Sequence, residues 1–384
     1  MDKTLKLQPM TSEKVETSNI FVFQDYNFSN NSLIDLLKLM AAKDHKFYRS
    51  DEDGKLKGSD GLIDSDDHVL IKINSQWDER GGTNTDLVYG IIKAVIDHPD
   101  GFSGEIVVAD NGQAQYGAAG NGGSLDWERN NASNKDQSIE DVVQNFKEHK
   151  VSTYLWDSIT ENVVEEFAEG DDEDGYVVSR NVIPETNTMV SYPKFTTKLG
   201  TKISFKYGLY LPQNNDYDIE KLKVINVPVL KAHRIFGVTG AVKNYMGVPS
   251  DKLTRSLGYR AHDSVGKGGM GTLMAQTRVP DLNILDAVYV NARPGEGPRT
   301  TYDRATMVNV IAASTDPVAL DYWGSKHILC EICKSITGSV HDSLDPDNTN
   351  SGSFGEWLRL SLDELRAAGY DFTSEPDKIN VYIV

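Results

Sequence analysis

Lys231 and His233 close the run VPVLKAH, and Lys243-Asn244 follow ten residues after His233 in VTGAVKNYMG. Three other apolar runs end in the same manner. HVLIKIN closes on Lys72 and Asn74, IVVAD on Asp110, and MVNVIAASTDP on Thr315 and Asp316. Ligands of open parallel sheets bind outside the carboxyl ends of the strands, so these four runs place polar side chains where a site is expected. Residues i and i+2 of a strand share a face, which would aim Lys72 with Asn74, and Lys231 with His233, together. Ammonium groups so gathered would hold a carboxylate or phosphate, with help from backbone N–H groups of a helix beginning near Thr239-Gly240. Crowded cations also depress one another's pKa, so a lysine here could act as base or Schiff-base nucleophile near neutral pH. His233 is the candidate proton shuttle, or a ligand for a divalent metal beside Asp110 and Asp316. The catalytic candidates are therefore Lys231, His233, Lys243 and Asp316, and the substrate-binding ones Lys72, Asn74, Asn244 and Asp110.

Each residue also has a plainer reading. Asp316 precedes Pro317 at an apparent helix start, which is ordinary capping, and Asn84 is placed to cap NTDLVYG. A lone strand-end lysine is usually solvated, and a lone histidine is usually a satisfied polar group. It is the coincidence of Lys72, Lys231, His233 and Lys243 that favours a site.

Weaker signals surround this core. VNARPGEGPRTTYD packs Arg293 and Arg299 into a tight loop that could clamp an anion. DPDNTNSGSFGE places Asp345, Asp347, Thr349 and Glu356 at positions 1, 3, 5 and 12 of a calcium-type loop, with Asn350 where that loop wants glycine. GAAGNGG and GKGGMGT lack nucleotide-loop spacing, and no G-x-S-x-G elbow is present. Cys330 and Cys333 are the chain's two cysteines. They fall inside an apparent helix and read as small core hydrophobes; no iron–sulfur cluster is expected of a single pair.

The elements that must position these groups are legible as alternation. Val/Ile-rich runs at 19–23, 68–74, 104–110, 221–230, 282–290, 307–313 and 379–384 read as strands. Amphipathic runs at 32–42, 84–98, 138–149, 317–332 and 354–369 read as helices. The expected fold is α/β, a mainly parallel sheet with helices on both faces. Residues 1–19 read as a polar tail and 20–384 as a single large domain. An inserted loop and a small antiparallel excursion occupy about 111–215, a candidate surface for a protein partner. Nine acids between Asp157 and Asp174, with no base among them, read as a solvated helix face and loop.

With 57 acidic and 39 basic residues the formal net charge is −18, which repels phosphate backbones and argues against a nucleic-acid partner. Hydrophobic content of 39% and charged content of 25% suit a soluble globular chain. No run approaches the ~20 apolar residues of a membrane span. The start, MDKTLKLQPMTSEKVETSN, lacks the apolar core of a signal peptide. A cytoplasmic setting is the expectation, although a trimmed leader would look the same.

LIKIN, TNTDLVYGIIKAV, IVVAD, VINVPVLKAHRIFGVTGAVKNYMG, ILDA and STDPVALD together resemble the domain-of-unknown-function 362 family, over roughly Val69 to Leu329. The resemblance implies that Lys72, Asn74, Lys231, His233, Lys243, Asn244, Asp316 and Asp321 are signature positions. It implies no reaction. Members often carry a ferredoxin-like segment with four closely spaced cysteines, which this chain lacks, so an electron-transfer role does not carry over. The chain reads as an enzyme with an anion-binding crevice at the strand ends, or else as a ligand-binding or redox-accessory module. The ligand expected is a small anionic molecule.

Overall fold

A computed structural model describes residues 5–12, 17–112 and 123–384. Its main sheet is built from β1 (Ser18–Phe23), β4 (His68–Lys72), β5 (Ile106–Asp110), β6 (Val151–Leu155), β12 (Leu222–Asn226), β13 (Val229–His233), β14 (Gly237–Thr239), β15 (Leu282–Asn291), β16 (Thr306–Ser314) and β17 (Ile379–Ile383). The order across it is β17-β1-β16-β15-β12-β4-β5-β6, with β13 on β15 and β14 on β13. β15, β12, β4, β5 and β6 run parallel, whereas β16 is antiparallel to both neighbours, β15 and β1. The small strands β2 (Tyr48–Arg49) and β3 (Lys57–Gly58) pair apart from it.

Alternation along the strands sends Val69, Ile71, Ile106, Val108 and Ile225 to one core. They pack there with α1 (Asn30–Ala41), α2 (Thr85–Ile96) and α3 (Ile139–Gln144). Leu70, Val107, Ala109, Leu222 and Val224 face a second core. The helices on that side are α4 (Ala241–Asn244), α5 (Asp251–Ser256), α6 (Ala261–Ser264), α7 (Gly269–Gln276), α8 (Pro317–Gly324), α9 (Cys330–Thr337) and α10 (Phe354–Ala367). The fold is α/β with both faces covered. No described helix is long and apolar enough to cross a membrane.

The excursion is a five-stranded antiparallel sheet of β7 (Gly175–Ile183), β8 (Thr188–Thr196), β9 (Lys202–Ser204), β10 (Gly208–Leu211) and β11 (Asp216–Asp218). Its Tyr176, Tyr192, Phe195 and Ile203 join the second core. The acidic stretch forms no solvated helix face; beyond the short 3-10 turn at Trp156–Ile159 it has no helix. Many of its acids are engaged by the excursion, Glu166 by the hydroxyls of Tyr192, Tyr217 and Ser204, and Asp171 by the buried Lys194. The run GAAGNGG lies, except for Gly123, outside the described residues.

Two apolar runs divide where one element was expected. KLKVINVPVL breaks at Pro228, which has no N–H to give a ladder, and the chain shifts from β12 beside β4 to β13 beyond the end of β12. The helix read over 317–332 becomes α8, a π-turn at Ser325–Leu329, and α9. Cys330 and Cys333 are buried there, and burial pushes the Cys330 thiol up to about 12, an environment for a thiol and not a thiolate.

Candidate functional site

The carboxyl ends of β4, β5 and β13 meet around a small chamber lined by Lys72, Asn74, Asp110, Lys231, Thr239, Lys243 and Asn244. Its volume is about 10 Å³, space for one water-sized group. Gln76, Trp77 and Pro298 border both this chamber and a wider vestibule of about 600 Å³. His233, Arg234, Phe236, Arg260, His262, Glu296 and Arg299 line the vestibule. The expected pairing of Lys231 with His233 is thus divided between two compartments.

Lys72 is fully engaged. Its ammonium lies 2.7 Å from Asp110 Oδ1 and donates to the carbonyls of Ile73 (2.8 Å) and Asn244 (2.6 Å), which uses all three protons. Asp110 Oδ2 accepts from Ser75 N and Oγ at 2.7 and 3.0 Å. This is a buried ion pair that ties β4, β5 and α4 together, and neither member is left for an incoming anion. Gly247 makes it possible: a Cβ there would lie 2.1 Å from Asp110 Oδ1 and 2.4 Å from Lys72 Nζ.

Lys231 and Lys243 differ from Lys72. Lys231 Nζ donates to the Gly81 carbonyl, while Lys243 Nζ has no hydrogen-bond or ion-pair partner among the described residues and lies 5.3 Å from the Phe236 ring centroid. Burial, then the charge of Lys243, brings Lys231 down to about 7 against the pull of Asp286. Burial likewise brings Lys243 down to about 7, opposed by Asp251 and reinforced by Lys72. Both amines therefore give up a proton far more readily than an exposed lysine.

His233 Nδ1 accepts from the backbone N–H groups of Ile235 (3.1 Å) and Phe236 (3.2 Å), which assigns the ring proton to Nε2. Burial and then the charges of Lys243 and Lys231 push its pKa far below the imidazole range. A ring held neutral, with Nδ1 filled and Nε2 protonated, is a hydrogen-bond donor; it is poorly suited to shuttle protons or ligate a metal.

Asp316 stands apart from the chamber. Lys72, Asn226, Asn283 and Ser314 form one row across β4, β12, β15 and β16, which puts Ser314 three strands and roughly 14 Å from Lys72. Because β16 runs antiparallel, the chain then leads away from the site. Asp316 caps α8 through Val318 N and Ala319 N and accepts from Thr373 N and Ser18 Oγ, while burial pushes it up to about 6. The N–H groups of Ala241 and Val242 at the start of α4 are taken by Asp321, a carboxylate that burial pushes up to about 7, so they are unavailable to an anion.

His233, Asp110 and Asp316 do not converge, and among the described residues no group of three or more His, Cys, Asp or Glu side chains comes together as a metal site. In the calcium-type loop Asp345 and Asp347 clasp Lys326 at 2.9 and 2.7 Å, and Glu356 accepts from Gly352 N. Arg299 lines the vestibule, with its Nε 3.9 Å from Asp78 Oδ1. Arg293 is not among the residues that line it. Asn84 caps α2, and the Asn84 N–H also donates to the buried Asp286.

Sequence reading missed Trp77, Phe236, Asp251, Arg260 and His262. Asp251 Oδ2 lies 3.0 Å from Arg260 Nε and 3.3 Å from His262 Nδ1, which holds both bases at the vestibule wall. Burial pushes Asp251 up, but His262 and Arg260 more than offset this and keep it ionised. The signal available was the sequence DKLTRSLGYRAH itself, an acid and two bases shortly after the KNYMG turn. Gly297, at φ +69°, closes the opposite wall; its Cβ would lie 2.1 Å from the Ala232 carbonyl.

The profile of the domain of unknown function family DUF362 matches residues 219–326, which shows the resemblance over the segment carrying Lys231, His233, Lys243, Asn244, Asp316 and Asp321. Lys72, Asn74 and Asp110 lie outside that match. No curated protein matches the chain. A Thermotoga maritima protein solved by structural genomics is similar at 8% identity, over 82% of this chain and 60% of that one, with a TM-score of 0.33. The chain thus covers less than two thirds of that protein's length.

Proposed function

We propose that the pocket binds a small carboxylate- or phosphate-bearing molecule and that the Lys243 amine acts on it as nucleophile or base. The observation that carries this reading is Lys243 itself, a buried side chain whose Nζ has no partner among the described residues, in a chamber that adjoins a vestibule of ligand size. Arg234, Arg260 and Arg299 line the vestibule and would receive the anion, and His233 would donate a hydrogen bond to an oxygen that gains charge. An amine near pKa 7 is in part unprotonated at neutral pH, which nucleophilic attack requires.

Glyoxylate, a small carboxylate with a carbonyl, is the probe. Attack of Lys243 on its carbonyl carbon gives a carbinolamine, loss of water gives an iminium ion, and cyanoborohydride hydride fixes it as a secondary amine. Peptide mass spectrometry after brief treatment at pH 7 should find Lys243 modified ahead of the surface lysines, and acetate or phosphate should slow that modification. Adducts spread over exposed lysines, with Lys243 unmodified, would defeat the proposal.

A further inference from the structure

Two compartments of unequal size raise the question of which part of a ligand enters the inner one. Its unfilled hydrogen-bonding positions are of both kinds. Lys72 has no proton to spare, Lys231 has given one to Gly81, and Lys243 has given none among the described residues. On the acceptor side, Asn244 Oδ1, Thr239 Oγ1 and Asn74 Oδ1 are buried without a partner among the described residues. The orientation of Asn244 is fixed by a row of carboxamides. Asn244 Nδ2 donates to Asn226 Oδ1 (2.8 Å), Asn226 Nδ2 to Asn283 Oδ1 (2.9 Å), and Asn283 Nδ2 to the Ser314 carbonyl (3.2 Å). The atom that Asn244 presents to the chamber is therefore its oxygen, which can only accept.

We propose that the chamber receives a hydroxyl group, so that the ligands of this pocket are hydroxylated anions, with the carboxylate or phosphate in the vestibule and the hydroxyl among Lys243, Thr239 and Asn244. This rests on the anion-binding reading above. A carboxylate or phosphate oxygen would satisfy the lysines but meet the Asn244 oxygen lone pair to lone pair. A hydroxyl accepts from a lysine and donates to Asn244 or Thr239, so both kinds of vacancy are filled at once. Size argues the same way, because about 10 Å³ admits one heavy atom and excludes a phosphate. A water molecule offers the same chemistry, so the experiment must separate a ligand's hydroxyl from a retained water.

Isothermal titration of the full chain with two matched pairs, glycolate against acetate and malate against succinate, makes that separation. The hydroxylated member of each pair should bind roughly tenfold tighter, the worth of two hydrogen bonds. Thr239→Val should narrow the gap to a few-fold, and Asn74→Ala, at a half-buried position, supplies a second variant should the first fail to fold. Equal binding within each pair overturns the inference and leaves the anion pocket standing, with water kept in the chamber. A preference that persists undiminished in both variants overturns it too, because the hydroxyl is then recognised elsewhere. If none of the four compounds binds, the anion pocket and the inference fall together.

Discussion

Replacing Lys243 by methionine should make the protein more stable, by an amount that depends on pH in a specified way. Methionine keeps the volume of the lysine stem and leaves no buried hydrogen-bonding group behind, because Lys243 Nζ has no partner among the described residues to abandon. The unfolded chain holds the lysine proton up to about 10.5, whereas burial makes the folded chain release it near 7. Between those values the unfolded state binds more protons, so this group makes stability rise with pH. Below pH 7 both states are protonated and the cost of burying the charge is present in full. The interval from 7 to 10.5, at 1.36 kcal/mol per pH unit, sets that cost at about 5 kcal/mol as an upper bound. Urea denaturation of wild type and Lys243→Met at pH 6.5, 8 and 9.5 reads it directly. The variant should gain several kcal/mol at pH 6.5, and the gain should shrink by about 1.4 kcal/mol per pH unit above 7. Lys231, also near 7, is held down in part by the Lys243 charge, so the variant relieves it as well and the relief adds to the gain at low pH. A variant that is destabilised, or whose gain is the same at all three pH values, would refute the reasoning.

Two other perturbations test the same region. Lys72→Met strands Asp110 as a buried charge and should cost about 3–5 kcal/mol, while Lys72→Met with Asp110→Leu should recover most of that; chemical denaturation of the singles and the double decides, and an additive double would show that the pair is not coupled. In nitrogen-detected NMR His233 should appear as the neutral Nε2–H tautomer with no titration between pH 5 and 8, since burial and two lysines keep it uncharged; a midpoint near 6.5 would contradict the geometry.

What the sequence disclosed and withheld follows from what each level of structure encodes. The polar ends of HVLIKIN, IVVAD and VPVLKAH were legible because apolar side chains give way to polar ones at the carboxyl edge of the sheet, although Lys72, Asp110, Lys231 and His233 are themselves buried there. That Lys72 and Asp110 neutralise each other was hidden, because it depends on the lateral register that sets Lys72 beside Ala109. MVNVIAA reads identically in either direction, so nothing local revealed that β16 is antiparallel and carries Asp316 away. Pro228 was visible, but that it moves β13 past the end of β12 is a decision of the whole sheet. His262 reaches the vestibule, and Asp251 holds it there, from short helices with no strand-end pattern, so only tertiary packing reveals them.

The carboxamide row through Asn244, Asn226 and Asn283 has a meaning for folding apart from any ligand. A strand rich in Val and Ile can slide along its neighbour with little change in apolar burial, so hydrophobicity alone aligns β12 and β15 poorly. A slip of one residue between β12 and β15 would put Asn226 and Asn283 on opposite faces of the sheet and break the hydrogen bond between them. Each unpaired buried amide costs about 1–3 kcal/mol, enough to populate one alignment almost alone. The asparagines thus act as a registration mark, and the chain that finds it has also, in the same step, set the aim of Asn244.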